Sequence, residues 1–217
     1  GQVQNRHYYE AAMTTKLDGE KTFFLPFNQG SNGAGNVGGK GNPENKNGYA
    51  TSYLWEKVLK KDGLLNIIQR FLQRVEEEKI VYSNGKEVRK KSVKLIFPRF
   101  HQLDVVSKLT ADVKANGSGH NYLIQHSAGS GKSNSIAWLA YRLTELHDKD
   151  NKPIFTSVIV VNDRTVLDRQ TQSTIYGFDH QKGVVEKIDD DKHSADLKTA
   201  INNGKKIIIT TIQKFPY

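Results

Sequence analysis

The chain contains 217 residues, 36% of them hydrophobic and 25% charged, which is typical of a globular protein and argues against a disordered or collagen-like chain. It has no cysteine and no apolar run near the ~20 residues that span a bilayer, so we expect a cytoplasmic protein without disulfides, thiolate metal sites or a membrane-spanning segment. The formal net charge of +9 favours a polyanionic partner, nucleic acid before membrane.

The first fifty residues predict a hairpin followed by a long loop. Residues 8–27 suggest two strands joined at Asp18-Gly19, a dipeptide typical of tight turns. Residues 28–48, which we call the glycine–asparagine loop, are dominated by Gly and Asn. Such a composition buries little apolar surface, so we expect a flexible surface loop.

The next segment has apolar residues at helical spacing. Residues 52–75 predict two helices separated at Asp62-Gly63, with Asp62 as an N-cap of the second. On this interpretation Arg70, Arg74 and residues 76–78 form the solvated polar face. A turn at residues 82–86 and a strand over 87–97 follow.

The second half alternates strands and helices, the pattern of parallel βαβ units. Strands are predicted at residues 122–125, 154–161 and 206–211. Helices are predicted after Pro98 and at residues 133–146, 164–172 and 194–202. The fold class is therefore α/β with a parallel sheet, preceded by an α+β segment, and we place the domain boundary near Ser92.

The strongest chemical signal is His126-Ser-Ala-Gly-Ser-Gly-Lys-Ser133, between a predicted strand and a predicted helix. We call residues 126–133 the phosphate loop. Gly129 and Gly131 let successive N–H groups point at one anion, and the helix N-terminus adds its dipole. Lys132 would reach the β- and γ-phosphates and Ser133 would bind Mg²⁺. The strict pattern requires Gly where this chain has His126, and the alternative interpretation is a plain turn entering a helix.

A nucleotide hydrolase also needs a carboxylate at a second strand end. Residues 158–161 are followed by Asn162-Asp163 and residues 207–209 by threonines, and neither pattern provides an Asp-Glu pair. Asp163 is explained equally well as an N-cap, and residues 189–191 as a solvated acidic loop. The sequence alone thus predicts nucleotide binding without efficient hydrolysis.

Four segments in order resemble the motifs of superfamily 2 helicases. Arg99-Phe-His-Gln102 is similar to the glutamine motif, and Ala128-Gly-Ser-Gly-Lys-Ser133 to motif I. Residues 158–170 are similar to motif Ia, and residues 207–215 to motif Ib. The exact residues of these segments closely resemble the motor (R) subunit of type I restriction enzymes. Three upstream segments are also similar to that family: Met13-Thr-Thr-Lys-Leu17, Phe24-Leu-Pro-Phe-Asn28 and Tyr53-Leu-Trp-Glu-Lys-Val-Leu59.

This resemblance implies ATP-driven translocation along double-stranded DNA, coupled to DNA cleavage, in a complex with methyltransferase and specificity subunits. It implies a RecA-like lobe, with ATP and Mg²⁺ as cofactors, Lys132 as the catalytic residue and Ser133 as the Mg²⁺ ligand. The implied nucleotide-binding residues are Gln102, which would contact adenine, and Gly129, Ser130, Gly131, Lys132, Ser133 and Asn134. The implied contacts to the DNA backbone are Arg164, Gln170, Thr210, Thr211 and Gln213.

The resemblance also implies parts that this sequence does not supply. We expect a fragment, inactive alone, in which residues 1–91 are the end of a nuclease-type domain plus a helical linker and residues 92–217 the first part of the ATPase lobe. The Asp-Glu box, the second motor lobe and the nuclease centre would lie outside it. We exclude Glu77-Glu78-Lys79 from a nuclease site, because it falls on a predicted helix whereas the family's pair belongs on a strand.

Two other function classes are compatible with parts of the pattern. A small P-loop kinase would need an arginine-bearing lid after Lys132, and no insertion of that kind follows the loop. A non-enzymatic DNA-binding module would account for the net charge, but the basic residues are spread along the chain instead of forming one arm.

Overall fold

The fold is described from a computed structural model, which covers residues 9–83, 86–163, 165–178, 183–188 and 191–215. The side chains of residues 77–79, 81–83, 86, 90 and 165–170 lie outside that description. The chain divides into two compact units, residues 1–104 and 105–217. The domain boundary that the sequence predicts near Ser92 stays a prediction.

The first unit begins with a short antiparallel pair and a bonded loop. Strands β1 (Ala12–Met13) and β2 (Leu25–Pro26) pair with two residues each, which confirms the hairpin but not its length. The glycine–asparagine loop has no helix or strand, yet hydrogen bonds join its two limbs, from Gly30 N–H to Gly41 O (2.8 Å) and from Ser31 N–H to Gly39 O (3.1 Å). Polar side chains and glycine backbones of the loop therefore bond to one another, and the flexibility expected from its composition stays a prediction.

A π-helix, Leu54–Val58, is followed by helix α1, Lys61–Arg70. The N-cap of α1 is Lys60, so Asp62 and Gly63 lie in its first turn and do not separate two helices as predicted. Gly63 is required by close packing, because a Cβ there would lie 2.2 Å from Lys57 O and 2.8 Å from Val58 O. Its missing side chain lets α1 start directly against the carbonyls of the π-helix.

A long hairpin replaces the predicted end of the second helix. Strands β3 (Gln73–Ser83) and β4 (Lys86–Ile96) pair antiparallel, with Gln73 opposite Ile96 and Ser83 opposite Lys86. The prediction of a helix through residue 75, with Arg74 on its polar face, is therefore wrong. Residues 77–79 therefore lie on a strand, so a helical position no longer excludes them from a nuclease site. Their side chains lie outside the description, and no group of three or more His, Asp or Glu that could hold a metal occurs among the described residues.

An aromatic cluster forms the core of the first unit. Phe27 lies within 5.6 Å of Phe100 and 5.8 Å of Phe97 between ring centroids, and Tyr53 lies 5.2 Å from Phe100. The Tyr53 hydroxyl donates to Phe27 O. Burial raises the pKa of Tyr53 to about 12. The first turn of helix α2 (Phe100–Asn116) is thereby held on this unit, and the helix predicted after Pro98 is confirmed.

The second unit is an α/β layer with a parallel sheet, the fold of a partial RecA-like lobe. Helix α3 (Lys132–Thr144) is followed by β5 (Val158–Asn162), α4 (Thr165–Gly177), β6 (Val185–Ile188), α5 (Ser194–Asn202), β7 (Ile207–Thr211) and a 3₁₀ turn, Ile212–Lys214. The sheet order is β5-β7-β6, with both pairings parallel. The predicted helices and two of the three predicted strands are confirmed, and β6 was missed.

Buried side chains hold the helices of the second unit against the sheet and against one another. On the central strand β7, Ile207, Ile208 and Ile209 are fully buried. Ile208 packs with Ile188, Leu197 and Ala200 in one cluster that joins β6, α5 and β7. Helix α3 packs on the α4 region through Trp138, whose ring lies 5.4 Å from that of Phe178. The Tyr141 hydroxyl adds a hydrogen bond to Ile175 O at 3.0 Å.

The strand predicted at residues 122–125 is not formed. These residues are irregular and exposed, with Leu123 at 93% exposure. A strand needs a paired neighbour to satisfy its backbone, and within the described residues β5, β6 and β7 pair only with one another. Residues 122–125 have a strand-like sequence, but no neighbouring strand among the described residues forms the backbone hydrogen bonds that would keep them extended.

A search of the described helices finds none with the length and apolar character needed to cross a membrane.

We expect Gly63→Ala to destabilise the protein by about 1–3 kcal/mol, the usual cost of forcing extra atoms into a packed site. The measurement is the urea midpoint followed by tryptophan fluorescence. Gly48→Ala is the matched control, because its Cβ would meet only Asn45 Nδ2 at an ordinary 3.6 Å. Equal midpoints for the two variants would contradict the close approach at Gly63.

Ionisation of the buried Tyr53 hydroxyl should destabilise the protein in alkali. Its pKa is raised to about 12 from an ordinary value of about 10, so its contribution is complete below pH 10 and is lost as the pH rises through 12. Tyr53→Phe should cost about 1 kcal/mol at pH 8 and should lessen the decline between pH 10 and 12. Exposed Tyr49→Phe serves as the control, and the same decline in both variants would show that Tyr53 does not cause it.

Candidate nucleotide and DNA site

The phosphate loop adopts the backbone that its glycines predict. Gly129 and Gly131 have φ of 72° and 81°, in the left-handed region that residues with a side chain rarely occupy. Gly131 is the N-cap of α3, and its carbonyl accepts Asn134 N–H (3.0 Å) and Ser135 N–H (3.3 Å). The loop therefore turns sharply into the helix, so that the first residues of α3 follow directly on the loop.

Lys132 lies across the loop to which it belongs. Its Nζ donates to Ser127 O at 2.9 Å and to His126 O at 3.2 Å. The side chain is exposed, so the ammonium is held at the loop while it stays accessible to an anion. Ser133, the next residue, is half-buried in the first turn of α3. This arrangement places one positive charge and one hydroxyl at the helix start.

Two further residues expected to bind nucleotide flank this pair. Ser130 is 8% exposed, and its N–H donates to Ser127 O at 3.3 Å. Asn134 is half-buried in the first turn of α3. The residues expected at the phosphates thus form one contiguous segment, and their roles there stay predictions.

Gln102 belongs to the first compact unit, whereas the phosphate loop belongs to the second. The Gln102 side chain is 2% exposed, and its Oε1 accepts the N–H of Arg99 at 2.8 Å. It thereby satisfies a backbone donor at the start of α2, which sets the orientation of the carboxamide. Its contact with adenine stays a prediction.

The segments expected to face DNA meet at the carboxyl ends of β5 and β7. Asn162 lies opposite Thr211 in the parallel register, so both strands end at the same edge. Gln213 is exposed and donates from Nε2 to Asp163 O at 3.2 Å. We call residues 162, 163, 211 and 213 the carboxyl edge. The structure thus brings together the ends of the two segments that resemble motifs Ia and Ib.

The other residues expected to contact DNA are placed differently. Thr210 is fully buried and Thr211 is 4% exposed, so their side chains are not at the surface of this unit. Arg164 lies outside the described residues, and Gln170 is in α4 with its side chain outside the description. Contacts from these four residues to DNA stay predictions. Gln213 is the remaining residue expected to contact DNA, and its side chain is described and exposed.

A lysine-rich group beside β6 was missed by sequence reasoning. Lys192 Nζ lies 2.6 Å from Glu186 Oε1, and Lys205 Nζ lies 3.6 Å from Glu186 Oε2. The hydrogen bond from Lys192 is the main cause that lowers the pKa of Glu186. Lys214 joins the group by donating to Lys192 O at 2.7 Å. The short, half-polar strand β6 gave no clear strand signal, so nothing in the pattern placed these lysines together.

Comparison with known proteins identifies a family. Residues 101–217 match the family model described as SWI2/SNF2 ATPase. That span covers more than half of the chain and includes Gln102, the phosphate loop and the carboxyl edge. No curated protein and no solved structure matches the chain.

Proposed function

We propose that this chain, which belongs to the SWI2/SNF2 ATPase family, binds ATP with Mg²⁺. We further propose that it takes part in ATP-driven movement along double-stranded DNA as the motor subunit of a type I restriction enzyme. Membership of the family implies nucleotide use and ATP hydrolysis. The restriction role, the movement along DNA and the partner subunits are the finer parts of the proposal.

The observation that carries the proposal is the phosphate loop with Lys132 across it. The two left-handed glycines, the single ammonium at the loop and the start of α3 suit a polyphosphate, because each contributes positive charge or N–H donors. Lys132 would exchange its carbonyl partners for phosphate oxygens, and Ser133 would hold Mg²⁺. When bound, Mg²⁺ neutralises charge on the β- and γ-phosphates.

The carboxyl edge supports the DNA part of the proposal. ATPases of this family act on DNA, and this chain has a net charge of +9. The Gln213 carboxamide has two N–H donors, of which one bonds to Asp163 O, so the other suits a phosphate or sugar contact. Such contacts carry no sequence information, which is what a motor that moves over any sequence requires.

The restriction role rests on the resemblance of the segments around residues 24–28, 53–57, 97–102 and 122–133 to type I motor subunits. The methyltransferase and specificity subunits are proposed as partners on the same ground, as is a cytoplasmic location. A small P-loop kinase and a non-enzymatic DNA-binding module are less well supported, because the family match includes the glutamine, Ia and Ib segments, which neither alternative needs.

Lys132→Ala should weaken binding of ATP–Mg²⁺ by about tenfold to a hundredfold, because the loop loses a charge-assisted hydrogen bond. Titration of a fluorescent ATP analogue measures the effect on the 217-residue chain. Lys149→Ala removes the same charge from an exposed loop elsewhere in the second unit and should leave the affinity unchanged. The same affinity for Lys132→Ala and wild type would show that the assigned site is wrong.

Arg164→Gln should lower duplex DNA affinity for all sequences alike and reduce the slope of log affinity against log salt by about one, since one phosphate contact is lost. Gln213→Ala should lower the affinity with little change in slope, because it removes no charge. Fluorescence anisotropy on two unrelated duplexes at several salt concentrations measures both. Arg70→Gln, an exposed arginine on α1, is the control, and a slope change as large as that of Arg164→Gln would indicate nonspecific attraction.

A further inference from the structure

The β3–β4 hairpin of the first unit is an arm that is held at one end. Phe71, just before β3, is 1% exposed, and the ring of Phe97, just after β4, lies 5.8 Å from that of Phe27. Farther along the hairpin, Ile80 and Val88 are 57% and 49% exposed. These two residues belong to adjacent pairs of the register, so they lie on opposite sides of the ribbon. Both sides of the arm are therefore accessible to a partner at these positions.

The strand register separates the charges of this ribbon onto its two sides. Directly opposite residues share a side, and the side alternates from each pair to the next. One side, which we call the basic side, takes four lysine positions and one glutamate position: Lys79, Lys86, Lys90, Lys94 and Glu77. The other side, which we call the balanced side, takes three basic and three acidic positions: Arg74, Arg89, Lys91, Glu76, Glu78 and Glu87. Positive charges thus exceed negative charges by three on the basic side and are matched on the balanced side.

Opposite charges meet on the balanced side, whereas like charges meet on the basic side. Arg74 Nη1 lies 2.8 Å from Glu76 Oε1 on the balanced side. On the basic side, Lys79 is directly opposite Lys90 in the register. Like charges opposite each other destabilise a strand pair, so an anionic partner on this side would stabilise the hairpin.

The lysine positions of the basic side are spaced for an extended polyanion. Residues 86, 90 and 94 of β4 recur every four residues, which at ~3.3 Å per residue is about 13 Å. The major groove of B-DNA is ~12 Å wide, so neighbouring lysine positions suit the two phosphate rows that border it. The whole strand of 11 residues is about 36 Å long, close to the ~34–36 Å of one helical turn. A compact anion would meet only one of these positions.

We propose that the basic side of the β3–β4 hairpin lies against the sugar–phosphate backbone of double-stranded DNA. The inference rests on the proposed function, in which the chain moves along duplex DNA. Residues 73–96 precede the 101–217 span of the ATPase match, so this contact is additional to the carboxyl edge and lies outside the motor segments. Lysine contacts to phosphate carry no sequence information, so the arm binds duplexes of any sequence.

Two lysines of β4 provide a matched test on the 217-residue chain. Lys94 lies on the basic side and Lys91 on the balanced side, and both residues are exposed. Lys94→Gln should lower duplex affinity about threefold to tenfold and reduce the slope of log affinity against log salt by about one, since one phosphate contact is lost. Lys91→Gln removes the same charge from the other side and should leave the slope unchanged. Fluorescence anisotropy on two unrelated duplexes at several salt concentrations measures both.

The outcomes separate this inference from the proposed function. Lys94→Arg keeps the charge and should keep the wild-type slope, and a slope reduced as much as that of Lys94→Gln would overturn the contact. If Arg164→Gln and Gln213→Ala lower the affinity and Lys94→Gln behaves like Lys91→Gln, the inference is overturned and the proposed function stands. If the wild-type chain binds no duplex, the DNA part of the proposed function fails and the inference fails with it.

Lysine acetylation of the wild-type chain gives a second readout that needs no variant. A saturating duplex should slow acetylation of Lys94 several-fold and leave acetylation of Lys91 unchanged, as quantified by mass spectrometry. Equal rates at Lys94 with and without the duplex, or equal protection of both lysines, would overturn a contact specific to the basic side.

Discussion

The second unit depends on the burial of one central strand. Ile207, Ile208 and Ile209 of β7 are fully buried, and β7 pairs in parallel with β5 on one side and β6 on the other. Parallel pairing fixes which ends of the strands meet, because all carboxyl ends lie at one edge. The juxtaposition of Asp163 and Gln213 follows from that register. A site at this edge is thus a consequence of core packing, and it needs no long-range ion pair.

The phosphate loop depends on a different anchor. The strand expected before it is absent, so the loop is held from its C-terminal side, where Gly131 opens α3 and Trp138 packs on Phe178. A helix fixed by buried aromatic contacts keeps its first turn in place even when the preceding residues are irregular. Lys132 then completes the loop by bonding to its carbonyls. This explains how the glycine geometry survives beside the exposed residues 122–125.

The sequence was most informative where a short pattern has one structural solution. The Gly-Ser-Gly-Lys-Ser segment, α5 and β7 lie where the pattern predicts, because glycine placement and strand–helix alternation leave few alternatives. The sequence pattern failed at residues 73–83. Phe71, Leu72 and Val75 fit helical spacing, but the chain enters a hairpin whose partner strand lies farther along the sequence. Pairing between distant segments cannot be read from local spacing.

Composition does not show which residues of the glycine–asparagine loop form hydrogen bonds within the protein. Asn42 is buried and bonds to Tyr9, Asn28 and Gln29. Which asparagine becomes the buried one depends on the tertiary fold, and composition is the same either way.

The position of Gln102 is determined by residues outside the ATPase match. Phe100, two residues earlier, packs its ring against Phe27 and Tyr53, and Gln102 itself bonds to the N–H of Arg99. A shift of Gln102 would have to move Phe100 in a core where the Tyr53 hydroxyl also bonds to Phe27 O. Close-packed aromatic cores resist small displacements, so such a shift would be passed to the segment around Phe27. The glycine–asparagine loop begins at the next residue. The position of Gln102 is therefore mechanically tied to the residues that precede the ATPase match.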